Sequence, residues 1–253
     1  MTPIALSCVA LVCILCGAFV GMALRKMLPG HHLSPDAKDV VRLGTGLVGT
    51  IAALVLGLLI ASAKNAFDTQ RGQVRQMTAN IVLLDELLEQ YGPEASPARG
   101  LLRTSVDIVV DRIWHENGSG ASTAGPFKAS AAGEAFYAKL QDLSPQNDAQ
   151  RSLQTRAIQI STDLAQTRLL LFTQIENSIP MPFLVVLIFW ITIIFASFSL
   201  FAEPNPIVIG SLFIFALSAA GAIFLVLEMG QPFSGLMQIP SAPLRSALAP
   251  LHA

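Results

Sequence analysis

Few residues in this chain have the types and spacing that chemistry requires. Its four histidines are dispersed along the sequence: His31, His32, His115 and His252. Cys13 and Cys16 have the spacing of a redox or metal pair, but no second pair accompanies them, and a thiolate is costly to desolvate in an apolar run. No Walker loop, HExxH or GxSxG motif occurs. We therefore expect no enzymatic activity, no metal site and no cofactor.

A formal GxGxxG match spans residues 44–49. A dinucleotide site needs that pattern between a strand and a helix. Here no strand pattern precedes the motif, and an apolar run long enough to cross a membrane begins at it. We conclude that the match is accidental.

The composition is that of a membrane protein. The 253 residues are 53% hydrophobic and only 13% charged, with a mean hydropathy of +0.58. Soluble domains carry about 25% charged residues. The net charge of −1 gives no reason to expect nucleic-acid binding, which requires a basic face.

Four apolar stretches are each long enough to cross a hydrocarbon core of about 30 Å. They cover residues 4–24, 43–63, 183–202 and 206–227. Most charged side chains fall between the second and third stretches. The sequence therefore predicts an all-α membrane protein with four transmembrane helices and a helical extramembrane bundle between spans 2 and 3. The predicted domains are residues 1–63, 64–182, 183–227 and 228–253.

The second span is predicted to continue out of the membrane as one helix, residues 43–91. Beyond the span, apolar residues recur on one helical face: Phe67, Val74, Met77, Ile81, Leu84, Leu88 and Tyr91. A matching seam lies on a predicted helix at 148–178: Leu153, Ala157, Ile160, Leu164, Thr167 and Leu171. Two such seams predict an antiparallel coiled-coil pair. Further helices are predicted at 97–116 and 127–143, a loop at 117–126 and a proline break at 179–182.

Small residues indicate where helices come close together. Gly17 and Gly21 form a GxxxG match on the first span. The second span carries small residues four apart: Gly49, Ala53, Gly57 and Ala61. Because small side chains let helix backbones approach closely in lipid, we predict helix packing at both sets.

The opposite face of the second span is a candidate pore lining. It carries Val48, Val55, Leu59 and Ser62, with Ala52 and Ala63 at its margin. The polar residues that follow form a candidate pore mouth: Lys64, Asn65, Asp68 and Arg71. If several subunits surrounded an axis, this face would form a hydrophobic constriction that gates by dewetting. The alternative is that it meets lipid or the third and fourth spans.

The segment from Gly57 to Arg75 resembles the second-span signature of bestrophins, in which an apolar helix ends in an Asn-containing segment and a Tyr-Asp-Arg-like motif. Asn65, Phe67 and Asp68 keep that pattern, one residue closer together. A bacterial family described as bestrophin-like is more similar still, since it shares the two-span, helical middle, two-span layout. It also shares a tail like Leu227-Glu-Met-Gly-Gln-Pro-Phe-Ser-Gly235.

The resemblance implies a homo-oligomer, a pentamer by analogy, that conducts chloride or other small anions. Bestrophin necks are lined by apolar second-span residues four apart, which implies Val55, Leu59 and Ala63 here. Ala63 stands where a Phe would narrow the neck, and the calcium clasp of the animal proteins has no matching acidic cluster.

Two functions are therefore carried forward. The first is an anion channel with an apolar constriction on the second span. The second is a non-conducting membrane scaffold or sensor whose coiled-coil middle binds a partner. We expect a multi-pass protein of the inner membrane, with the middle region and both termini cytoplasmic. Basic residues flank both sides of the membrane, so the bestrophin likeness supports this orientation more than charge does.

Overall fold

A computed structural model of the chain describes residues 2–28, 35–114, 131–175, 181–203 and 205–247. These residues form helices with no strand among them. The helices are α1 (Pro3–Met27), α2 (Pro35–Tyr91), α3 (Ser96–Trp114), α4 (Ala131–Gln141), α5 (Asp148–Ile175), α6 (Met181–Phe201), α7 (Pro206–Met229) and α8 (Ala242–Ala247), with a short 3-10 turn at Pro93–Ala95.

The predicted fold class is confirmed. Four of these helices are long and apolar enough to cross a membrane, and they are α1, α2, α6 and α7. The predicted helix at 43–91 is one continuous helix, but it begins at Pro35 rather than Leu43. Proline suits a first helical turn because its missing N–H has no partner there in any case. His31, His32, His115, His252, the 117–126 loop and the break at 179–180 lie outside the described residues.

Local sequence sets the other helix ends. The side chain of Thr2 accepts a hydrogen bond from Ala5 N at 3.3 Å, and Asn205 Oδ1 accepts one from Ile207 N at 3.2 Å. A proline follows each of these caps, where it costs no hydrogen bond. At the far end of α2, Gly92 has φ 118°, a left-handed conformation that other residues rarely adopt. The predicted end of the long helix at Tyr91 is therefore confirmed.

The chain divides into two compact units, and the first contains the membrane helices. It comprises Met1–Ala66 and Ile179–Gly230. Its hydrophobic core takes residues from all four helices: Ala10, Ile14, Ala18, Ala52, Leu59, Ala63, Leu184, Leu187, Ile191, Phe195, Leu212, Ala216, Ile223 and Val226.

In this unit α1 lies directly against α6 at two glycines. A Cβ added at Gly17 would lie 2.6 Å from Thr192 Cγ2 and 2.7 Å from the Thr192 carbonyl oxygen. A Cβ added at Gly21 would lie 2.9 Å from the carbonyl carbon of Ala196. Because these neighbours are backbone atoms as well as side chains, both positions require glycine.

The second unit is a helical bundle made of Phe67–Ser178 and Gln231–Ala253. The α2 seam from Val74 to Tyr91 and the α5 residues Ala157, Ile160 and Leu171 are buried in one cluster with α3. Gln150, near the start of α5, donates from Nε2 to the carbonyl oxygen of Tyr91 at the end of α2, at 3.0 Å. The start of α5 therefore lies beside the end of α2, as the predicted antiparallel pairing requires.

A buried ion pair ties α2 to α3 in this bundle. Asp85 is 5% exposed, and its two carboxylate oxygens accept from Arg99 Nε at 2.7 Å and Nη2 at 3.0 Å. The hydrogen bond with Asp85 is the main cause that raises the pKa of Arg99. Such a two-bond pair fixes the rotation of α3 against α2.

The C-terminal tail docks on α3. Trp114 donates from Nε1 to the carbonyl oxygen of Ile239 at 2.7 Å. The ring of Phe233 packs edge-on against Trp114, with centroids 5.4 Å apart and an interplanar angle of 84°. Leu244 of α8 is fully buried in the same core.

Replacing Gly21 by Ala should destabilise the membrane unit by about 1–3 kcal/mol, because the added methyl group overpacks the α1–α6 contact. Gly221→Ala is the matched control, since a Cβ at this membrane-helix glycine meets nothing within 4 Å. Unfolding of the purified protein in detergent with increasing SDS measures both. Equal midpoints for the two variants would show that the α1–α6 approach has no energetic importance.

Arg99→Leu should cost about 3–5 kcal/mol, because it leaves the buried carboxylate of Asp85 unpaired. Asp85→Leu should cost less, since the Arg99 side chain is 26% exposed and can turn to water. Arg151→Leu is the control, because its partner Asp148 is 3.5 Å away and both side chains are exposed. Denaturant unfolding followed by near-UV circular dichroism gives the three values. Arg99→Leu with the stability of the control would contradict this ranking.

A candidate ion pathway along the second membrane helix

The second membrane helix keeps more of its surface open than the other three. Only 17% of the residues in its most apolar stretch are buried, against 33% in α1, 28% in α6 and 22% in α7. An open surface on a membrane helix faces lipid, another subunit or a water-filled path. The candidate site therefore consists of the residues that lie on that surface.

The predicted pore-lining face is largely inside the subunit. Leu59 is 8% exposed and Ala63 is 4% exposed, and both belong to the membrane core, as does Ala52. Val55 is half-buried against the same core, and Ser62 is exposed. In the single subunit, this face therefore packs among the subunit's own helices and does not line an open path.

The predicted packing stripe on α2 is instead open. Ala53, Gly57 and Ala61 are exposed, and a Cβ added at Gly57 meets nothing within 4 Å. At Gly49, which is half-buried, an added Cβ meets only Ile194 Cδ1, at 3.9 Å. These four residues therefore differ from Gly17 and Gly21, whose contacts are made within the chain.

A ridge of exposed leucines runs beside the open stripe. At about 100° per residue, the ridge lies on the side of α2 that faces away from Leu59. Its members are 65% to 75% exposed: Leu43, Leu47, Leu54 and Leu58. We call the ridge together with Ala53, Gly57 and Ala61 the open face of α2. Sequence reasoning missed it as a candidate pathway, although the periodicity alone separates it from the Leu59 face.

The predicted mouth residues are also exposed on α2. They are Lys64, Asn65, Asp68 and Arg71. At about 100° of rotation per residue, Lys64, Asp68 and Arg71 lie on the side of the helix that carries Gly57 and Ala61. The open face thus passes from small and apolar residues to charged ones along a single helix.

The open face can contact ions or other helices but offers nothing for acid–base or metal chemistry. Within the membrane stretch its residues are Gly, Ala and Leu, and the exposed Thr50 beside them donates its hydroxyl to the carbonyl oxygen of Gly46 at 2.9 Å. In the part of the chain that the structure describes, no three His, Cys, Asp or Glu residues are grouped to hold a metal ion.

The comparisons with known proteins agree with this architecture. A family model described as the Bestrophin-like domain matches residues 12–244. No curated protein matches the chain. Similar solved structures include two mutant forms of a bacterial bestrophin homolog from Klebsiella pneumoniae. One has a TM-score of 0.71 at 11% identity, with 100% of this chain and 99% of that chain covered. The other has a TM-score of 0.66 at 11% identity, with coverages of 94% and 97%.

A third similar structure is a membrane protein crystallised with a proline-to-alanine substitution. It has a TM-score of 0.62 at 10% identity, with 96% of this chain and 97% of that chain covered. At such low identities the structural likeness shows the fold alone.

Single cysteines on α2, in a background with Cys8, Cys13 and Cys16 replaced by Ala, should react according to face. In protein dissociated to single chains in mild detergent, we expect Ala61→Cys to react with a maleimide and Ala63→Cys to resist it, since Ala61 is exposed and Ala63 buried in the single chain. Labelling yield by mass spectrometry, in mild detergent and after SDS unfolding, measures the difference. Equal reactivity in mild detergent would mean that α2 is rotated relative to this description.

Proposed function

The chain belongs to the bestrophin-like family, and from this premise we propose that it forms a homo-oligomeric channel that conducts small anions along its second membrane helix. The observation that carries the proposal is the open face of α2. It is an apolar surface that the membrane core leaves uncovered on the helix that resembles the bestrophin pore helix. The bestrophins that the chain resembles are anion channels, and this resemblance supports a channel rather than an enzyme.

Several copies of the chain would surround an axis with the open face directed inward or toward the neighbouring subunit. The small residues Ala53, Gly57 and Ala61 allow a second helix to approach closely, which lipid chains cannot exploit as well. By analogy with bestrophins the copy number is five. The assembly would lie in the inner membrane, with the bundle and both termini on the cytoplasmic side.

Two sets of residues are candidates for the wall of the path. One is the set predicted from the sequence: Val55, Leu59, Ser62 and Ala63. The other is the open face, with Leu54 and Leu58 at the height of that set. Burial favours the open face, because Leu59 and Ala63 would have to leave the subunit core before they could meet a lumen. An apolar wall of this kind would control conduction by dewetting.

The charges at the end of the path favour anions. Lys64, Arg71 and Arg75 are exposed on the same side of α2, and Asp68 is the acidic residue among them. In a ring of subunits these charges would repeat around the axis and produce a positive mouth. Rings of basic side chains select anions at close range.

Chloride efflux from proteoliposomes tests the proposal, with the purified full chain, a chloride electrode and valinomycin to dissipate the potential. Leu58→Trp should reduce efflux at least tenfold while the oligomer keeps its size, because Leu58 is 69% exposed and a larger ring would narrow the path. Leu59→Trp is the matched variant, and it should instead lower stability, since Leu59 is buried in the core.

Three results would count against the channel. They are the absence of chloride efflux over a range of salts and pH, efflux that is unaffected by Leu58→Trp, and a reversal potential in a KCl gradient that favours potassium. Absence of efflux from a correctly assembled oligomer would favour the alternative function, a scaffold or sensor whose helical middle binds a partner.

A further inference from the structure

The extramembrane bundle contains a cavity that the proposed ion path does not use. Its volume is about 490 Å³, within the range of roughly 300–1,000 Å³ typical of small-molecule sites. It lies among four helices of the second unit, and apolar side chains form most of its wall: Met77, Ile81, Val106, Val109, Phe136 and Leu164. Spaces between the helices of a bundle are common positions for ligand sites.

One cationic side chain lines this apolar space. Arg168 of α5 lies in the cavity wall, and its Nε atom is buried with no hydrogen-bond partner among the described residues. Burial, together with the nearby charge of Arg112, lowers the pKa of Arg168. Arg168 is half-buried, and its buried, unsatisfied Nε–H with the charge of Arg112 nearby favours binding of an anion.

Arg168 is the cationic group of the wall, and Tyr137, Gln141 and Ser161 can add only neutral hydrogen bonds to a ligand. Ser105 Oγ donates to the carbonyl oxygen of Leu102 at 2.7 Å, and Thr162 Oγ1 donates to that of Ile158 at 3.0 Å. Both hydroxyls are therefore already engaged by their own helices. Glu134 also lines the cavity, but it is exposed, and its negative charge would oppose a ligand with more than one anionic group.

We infer that this cavity binds a single-chain monocarboxylate amphiphile, with the alkyl chain among the apolar side chains and the carboxylate on Arg168. A fatty acid has this chemistry. The cavity lies toward the lower end of the size range, so it suits one alkyl chain better than the two chains of a phospholipid. The site goes beyond the proposed channel function, because it lies within the second unit and its occupancy does not depend on conduction.

Photo-crosslinking of the full chain in a nonionic detergent tests the inference directly. The probe is a palmitic acid that carries a diazirine, and the matched probe is the corresponding hexadecanol. Peptide mapping should place the acid on α3, α4 and α5 around the cavity, with at least fivefold higher yield than the alcohol. Decanoate should compete with the acid, and 1-decanol should compete at least fivefold more weakly.

Single substitutions test the carboxylate contact and the alkyl-chain contact separately. Arg168→Gln should reduce labelling by the acid at least fivefold and leave labelling by the alcohol unchanged. Arg156→Gln is the matched control, because Arg156 is exposed on the same helix outside the cavity wall. Glu134→Gln should increase labelling by the acid. Ala165→Trp should abolish labelling by both probes, since Ala165 lines the cavity and the indole would fill it.

Each outcome decides the question. Equal labelling by acid and alcohol, or full labelling of a folded Arg168→Gln protein, would overturn the role of Arg168. If that variant fails to fold, an unchanged yield in Glu134→Gln and Ala165→Trp would overturn the site itself. A diazirine-bearing phosphatidylglycerol should leave the cavity peptides unlabelled. Labelling of those peptides by this lipid would contradict the single-chain assignment.

Discussion

Helices in lipid gain little from hiding apolar side chains, so they associate where their backbones can come close. In this chain that condition is met at Gly17 and Gly21, which lie directly against the backbone of α6. This contact determines how the other membrane helices are used. With α1 and α6 joined through the small residues of α1, α2 contributes Leu59, Ala52 and Ala63 to the core. Its small residues Ala53, Gly57 and Ala61 remain open.

Beyond the apolar span, a different force drives the packing of α2. In water the hydrophobic effect drives association, and the α2 seam from Val74 to Tyr91 is almost fully buried. The one charge on that side, Asp85, is buried only because Arg99 satisfies both of its oxygens. α2 thus changes from a helix with little buried surface to one with a continuous buried seam.

Much of this arrangement could be predicted because it depends on local periodicity. The four spans, the seams of α2 and α5, and the end of α2 before Gly92 each follow from spacing or from a single backbone requirement. The burial of the Leu59 face could not be predicted in the same way. Both faces of the second span are apolar and regularly spaced, so the sequence distinguishes the two faces but does not show which one is buried. Which face is buried depends on the surface that the packed helices α1 and α6 offer to α2, and that surface exists only in the folded core.

The start of α2 at Pro35 and the cavity around Arg168 were missed for related reasons. Proline often marks a loop, and only the residues after it show that a helix begins there. The residues around Arg168 come from four separate helices, and no spacing along one helix brings Met77, Phe136 and Arg168 to one place. Arg168 itself looks like an ordinary polar residue beside a coiled-coil seam.

The open face of α2 contains a leucine ridge and a groove of small residues, and these two surfaces differ in how well lipid chains pack against them. An exposed leucine such as Leu58 is as well accommodated by lipid chains as by protein, so the ridge alone does not require a partner. Gly57 and Ala61 are different, because the groove they leave gains most from the close approach of another helix. The charged turns that follow, beginning at Lys64, lie on the side of the small residues rather than that of Leu59. The groove and the charges therefore favour an assembly of several α2 helices over a single subunit surrounded by lipid.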